Sequence, residues 1–423
     1  MIKFLVYSIV FIVLVLKIKD LNPHWLDLKR NIIVDGQTLN PGIPLPFNVN
    51  KHSELSEPTF QYRENIRRTG VSKEILTLPL KKEKSIGRLN FGIHGASKSS
   101  VSADEFGVLV PTDSSWVYHF DHNYNLTWKF FISESSRGIH GTAVLTKDAV
   151  YFGGYNGRFY ALDRKTGEPL WVYKVGGAIG ASPVLWNKSI YVAVERVDIV
   201  DGYLVKLNAE TGALIWKTED IGEQAHSSPA IDPELGLLYF GANNEKFFAI
   251  QEIDGKIKWE YIANGPIKGT PSVSRECVVF TDWSGRIYCL RGGTGSLKWT
   301  SIIEGKSQSS PTVIEDINRV IVSSNGGNIW GFRLSDGQII WNKKVDSPIM
   351  MGSATAYKDA KSWNIVTTCS KSKVCIMGAK NGKLIEELPV SGLVTSVPTL
   401  FKGKVYITTS SSGLEVFSSL SSQ

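Results

Sequence analysis

The sequence predicts an all-β fold, a ring of eight four-stranded blades, and three periodic observations predict it. Tryptophans recur in phase at Trp128, Trp171, Trp216, Trp259, Trp299 and Trp341, spaced by 43, 45, 43, 40 and 42 residues. A glycine stands four residues before the closing position in six units: Gly167, Gly212, Gly255, Gly295, Gly337 and Gly382. A third marker leads the units, as Ser182-Pro183, Ser228-Pro229, Thr270-Pro271, Ser310-Pro311 and Val397-Pro398, with Thr142-Ala143 and Ser353-Ala354 in the same phase. Repeats of about 40 residues, each holding four short strands, are the signature of propeller blades.

Each marker has a physical reason. The glycine belongs to a tight turn such as Lys165-Thr166-Gly167, where the chain reverses through positive φ, a backbone that glycine adopts at least cost. Alternation then places the tryptophan, four residues on, on one face of the next strand. There a broad ring fills the gap between stacked sheets and buries on the order of 200 Å². Proline at the first residue of a strand forfeits little ladder hydrogen bonding, so the Ser-Pro pairs mark where each innermost strand begins. One unit therefore reads as four strands, of which VYFGG, RFYALD and the Trp-bearing strand follow the Ser-Pro one.

Seven closing positions are countable, the last being Glu386, and residues 395–419 supply three further strands without a fourth. The segment Glu74–Leu80 alternates like an edge strand and is expected to complete that sheet, so that an N-terminal strand closes the ring. Closure removes two open sheet edges and with them the tendency to pair edge to edge.

Ahead of the ring, Phe4–Leu16 is apolar apart from Tyr7 and Ser8 and is flanked by Lys3, Lys17 and Lys19. No small-x-small cleavage pair follows it, so residues 1–19 read as an uncleaved signal anchor, one N-terminal transmembrane helix that contacts the membrane through residues 4–16. Residues 20–59, with Asn22-Pro23, Asn40-Pro41-Gly42, Pro44 and Pro46, read as an extended linker, and residues 60–423 as the propeller. The basic residues Arg63, Arg67, Arg68, Lys81, Lys82 and Lys84 read as a solvated linker beside the first strand.

Composition excludes several classes. With 42% hydrophobic and 21% charged residues the chain is neither disordered nor collagenous. Residues 1–100 hold 15 bases against 8 acids, which is the whole of the +7 net charge, so the body is neutral and offers no phosphate-tracking surface; no nucleic acid is expected. Cys277 and Cys289 lie on neighbouring strands of one blade, and Cys369 and Cys375 of another. Neither pair has metal-ligand spacing, and whether they form disulfides stays open.

The blade motif Ala161-Leu162-Asp163, Thr166-Gly167 and Trp171 resembles the tryptophan-docking repeat of pyrroloquinoline-quinone-type (PQQ-type) propellers. The lead-in Gln61–Gly70 resembles the R-x-N-x-x-R-T-G segment found before their first blade. That family implies two alternatives: quinone-dependent dehydrogenases, and non-catalytic scaffolds similar to the outer-membrane assembly factor BamB. The dehydrogenases carry adjacent cysteines on the quinone and a carboxylate base beside calcium, and neither can be assigned here, so no catalytic residue and no metal site are expected.

Three residues before each Ser-Pro proline position come His140, Gly180, His226, Lys268, Gln308, Met351 and Thr395, the approach to the innermost strands. His140, His226, Lys268 and Gln308 are the candidate ligand-binding rim of the central funnel, suited to an anionic or carbonyl-bearing group, and His94 echoes His140 in its Gly-Ile-His-Gly context. Trp283 falls in a hairpin tip and is a candidate partner anchor, whereas the six periodic tryptophans are structural docking residues. The expected function is a membrane-tethered, extracytoplasmic scaffold, a monomer with protein partners in the cell envelope and no cofactor. The alternative is an oxidoreductase holding pyrroloquinoline quinone in the funnel.

Overall fold

The structure, a computed structural model, describes residues 56–89, 99–135, 137–196, 200–345, 352–410 and 413–419. The apolar run at 4–16, most of the linker, His94 and Met351 lie outside the described residues. Among those described, no helix is long and apolar enough to cross a membrane.

The chain forms eight antiparallel sheets, seven of four strands and one of five, arranged as propeller blades. In blade 2, for example, Val144–Thr146, Ala149–Gly153, Arg158–Asp163 and Pro169–Lys174 pair in succession from the axis outward. The inner strands are buried on both faces, Ala149–Gly153 throughout, whereas the outermost strand is buried only at Trp171–Tyr173 in its middle.

The tryptophans join blade to blade. Trp128 donates its indole N–H to Arg164 O, Trp171 to Ala209 O, Trp216 to Glu252 O, Trp259 to Gly292 O, Trp299 to Leu334 O and Trp341 to Ala379 O, at 2.7–3.1 Å. Each acceptor lies in the following blade. The turn glycine of that blade lies on the same ring: a Cβ on Gly212 would stand 2.6 Å from Trp171 Cε3 and one on Gly167 2.6 Å from Trp128. These glycines also have φ of +66° to +73°. The residue type is therefore required twice, by its own turn and by its neighbour's tryptophan. At the seventh closing position Glu386 takes over the link, its carboxylate accepting the Leu80 N–H at 2.8 Å.

Three expectations are corrected. The strand beside Gly413–Ser419 in the eighth sheet is Leu80–Ile86, not Glu74–Leu80. Pro79 has no N–H to give a ladder, so pairing starts after it, while Leu76 and Leu80 pack into the core between blades 7 and 8. The ordered ring also starts before residue 60, since Pro58–Phe60 pairs with Val144–Thr146.

The third correction concerns Arg63 and Arg68 of the basic stretch, which are not solvated, whereas Lys82 and Lys84 are exposed. Arg63 and Arg68 are buried, and the lead-in winds around the axis across the innermost strands. Gln61 accepts the Leu185 N–H through its side chain, and Ile66, Arg67, Thr69 and Gly70 accept, through their carbonyls, the N–H groups of Ile231, Val273, Val313 and Ala356. Blades 3 to 7 are thus engaged in order. Arg63 donates to Ala354 O and Pro311 O at 2.6 Å, and Arg68 to Pro183 O and Pro229 O. A planar guanidinium with several donors suits this position, where inner-strand carbonyls converge. Lys82, on the edge strand, pairs with the buried Glu415 at 2.8 Å.

Candidate functional site

The residue before each strand-opening proline does more than mark the strand. The Ser100 N–H donates to Thr142 Oγ1, Thr142 N–H to Ser182 Oγ, and Ser182 N–H to Ser228 Oγ; Thr270 N–H donates to Ser310 Oγ, Ser310 N–H to Ser353 Oγ, and Val397 N–H to Ser100 Oγ. Hydroxyls therefore stitch neighbouring blades in a broken circle around the axis, one run from Val397 through Ser100 to Ser228 and one from Thr270 to Ser353. Inside it lies a cavity of 380 Å³ with Tyr62 of the lead-in among its lining residues.

His140, Gly180, His226, Lys268, Gln308 and Thr395 all line this cavity, as does Trp283. The hairpin tip thus turns Trp283 toward the axis. Lys268 Nζ stands 3.8 Å from the centroid of its ring and Lys306 Nζ 5.2 Å, so the aromatic face is held by cations.

The two histidines are joined through residues that phase alone does not reveal. His226 Nδ1 lies 2.9 Å from Glu195 Oε1, and the Glu195 side chain is almost wholly buried. The Tyr155 hydroxyl lies 3.5 Å from both Glu195 oxygens, and the Tyr155 ring packs on His140 with centroids 4.3 Å apart. Behind His140, Asp113 is buried with Oδ2 3.7 Å from Nε2. Burial drives the Tyr155 phenol far above its ordinary value, and the Glu195 charge adds to the rise. Tyr155 is therefore a neutral donor throughout the physiological range.

Gly180 makes this arrangement fit. A Cβ there would stand 2.5 Å from Glu195 Oε1 and 2.7 Å from the Tyr155 hydroxyl. The ring position that carries no functional group is the gap through which the other two meet. Glu195 had one sequence signal, a carboxylate ending the apolar run Ile190–Val194. Tyr155, Asp113 and Arg137, which lies 5.7 Å from the Tyr155 centroid, had none.

A family profile described as the beta-propeller of beta-alanine-activating enzyme matches residues 120–418. The chain belongs to this family. Among curated proteins, this family member is 24% identical over 195 residues to the outer membrane protein assembly factor BamB of Yersinia pestis, covering 42% of this chain and 48% of that one. It is 24% identical over 315 residues to the quinohemoprotein alcohol dehydrogenase ADH IIB of Pseudomonas putida, covering 66% and 43%. The chain spans about half the length of the first of these relatives. Among solved structures, BamB from Moraxella catarrhalis superposes with a TM-score of 0.65 at 18% identity, over 82% of this chain and 99% of that one. A quinohemoprotein alcohol dehydrogenase from Comamonas testosteroni superposes with 0.70 at 14% identity, over 85% and 80%. At these identities the superpositions show the shared propeller fold.

Among the described residues, neither the adjacent cysteines nor the carboxylate base of a quinone dehydrogenase is found on the cavity wall. Among the described residues no carboxylate lines the cavity, since Glu195 and Asp113 stand behind histidines. The four cysteines form two disulfides, Cys277–Cys289 and Cys369–Cys375, within blades 5 and 7 and not on the cavity wall. No group of three or more His, Cys, Asp and Glu among the described residues is placed to hold a metal ion.

Proposed function

We propose that this propeller is a non-catalytic scaffold in the cell envelope, tethered to a membrane through residues 4–16 and engaging protein partners as a monomeric ring. The observation that carries the reading is the cavity wall, on which no described residue is a carboxylate of the kind a quinone dehydrogenase uses as its base. Rigid blades holding variable connections are suited to recognition. The curated assembly factors named above support the reading. Two disulfides suit an oxidising, extracytoplasmic compartment.

The test is in-cell crosslinking of the full-length chain, with fractionation of membranes. Reproducible crosslinks from blade-connecting loops to envelope proteins, in the membrane fraction, are expected. A soluble chain without crosslinks, together with saturable binding of pyrroloquinoline quinone in the presence of calcium, would sink the scaffold reading in favour of a quinoprotein.

A further inference from the structure

The cavity has a polarity that the scaffold reading leaves unused. In an eight-bladed ring the innermost strands succeed one another by about one eighth of a turn. His140, Gly180, His226, Lys268 and Gln308 precede successive blades, so they occupy one continuous arc. Among the described residues, the wall beyond them carries Ser353, Thr395 and Val397, which are neutral, so the described cations gather on one arc.

Three features make the cationic arc an anion site. Its bases Arg137, His140, His226 and Lys268 face a lining in which no described residue is acidic. Of the two acids nearby, Glu195 lies 2.9 Å from His226 Nδ1 and Asp113 3.7 Å from His140 Nε2, both behind the histidines. Finally, Thr142, Ser182, Ser228, Ser310 and Ser353 each accept a backbone N–H through the side-chain oxygen, so what these hydroxyls offer in turn is an O–H.

We propose that this cavity is a receptor for a carboxylate-bearing ligand, with Lys268 and Gln308 as its donors and Tyr155 against the rest of the molecule. The volume of 380 Å³ lies within the range of about 300–1,000 Å³ typical of small-ligand pockets. Donors strung along an arc suit carboxylates, which take one or two hydrogen bonds each, better than one tetrahedral phosphate, which needs donors converging on a point. The carboxylate has two sources of the same chemistry, a free polycarboxylic acid or an acidic peptide segment. The inference shares the cavity lining with the scaffold reading but concerns a ligand, whereas that reading concerns partners at the blade-connecting loops; envelope crosslinks without carboxylate binding would sink this inference alone.

Calorimetric titration of the full-length protein with citrate, triglutamate, triglutamine and sulfate tests it. Saturable binding of citrate or triglutamate is expected, with none for triglutamine and weaker binding of sulfate. Citrate alone identifies a free acid, and triglutamate alone a peptide. Lys268→Met and Gln308→Ala should each weaken the binding about tenfold or more at unchanged melting temperature, as loss of a charge-assisted or buried hydrogen bond requires. Lys258→Gln on an outer strand should change nothing. The proposal is overturned if neither carboxylate probe binds, if triglutamine binds as well as triglutamate, or if both cavity variants bind as the wild type does.

Discussion

Arg68 Nη2 donates to the carbonyl of Pro183 at 2.6 Å, across 115 residues of chain. Its Nε donates to Pro229 O at 3.1 Å, so one guanidinium spans the innermost strands of blades 3 and 4. Arg68→Met would leave these carbonyls buried without a donor, at about 1–3 kcal/mol each. The expected result is a loss of at least about 3 kcal/mol in urea unfolding. Arg68→Lys should recover little of it, because one ammonium cannot reproduce the planar fork.

Gly212→Ala meets two obstacles, a φ of +71° and the Trp171 ring. A loss of about 2 kcal/mol is expected, combining the left-handed backbone cost with displacement of the ring. Gly293 has open space where a Cβ would go, and Gly293→Ala should stay within about 0.5 kcal/mol. Paired denaturation curves check both.

Gly180→Ala would push a methyl between Glu195 and Tyr155. The expected outcome is loss of the 2.9 Å contact between His226 and Glu195, read as a changed His226 Nδ1 resonance in nitrogen-15 NMR. An unchanged resonance would show that the backbone yields instead.

His119 is buried against Trp128, the rings stacked 5.0 Å apart, and its pKa is lowered to about 4, first by burial and then by the charge of Arg164. A base whose folded pKa is depressed lends stability that is present above the unfolded value of about 6.5 and is lost as pH falls through about 4. The loss is on the order of 3 kcal/mol when complete. His119→Phe should flatten the stability profile between pH 6.5 and 4, as measured by chemical unfolding at each pH.

Thiol titration of the denatured, unreduced protein should find none of the four cysteines reactive, and all four after reduction. Double replacement of Cys277 and Cys289 by serine should cost roughly 2–3 kcal/mol, as for closing a short loop.

The blades were legible because their determinants are local and recur. Turn glycine, docking tryptophan and strand-opening proline each answer to backbone geometry within a few residues, and repetition amplifies a signal that is weak in one copy. The same phase placed His140, His226, Lys268 and Gln308 at equivalent points of successive blades, and these do line one cavity. Trp283, read as a hairpin tip, turned out to face that cavity, a direction that depends on Lys268 and Lys306 beside its ring.

Contacts between residues with no shared phase were decided by tertiary structure. The arginines of the lead-in read as solvated because most guanidiniums are. Only the assembled inner strands, presenting carbonyls toward the axis, make burial of Arg63 and Arg68 favourable. Glu195 likewise meets His226 and Tyr155 through a space that exists because Gly180 lacks a side chain. Periodicity specifies which residues reach the axis. What stands behind each of them is settled by the packing of neighbouring blades, because a carboxylate's partner is chosen by distance in space and not along the chain.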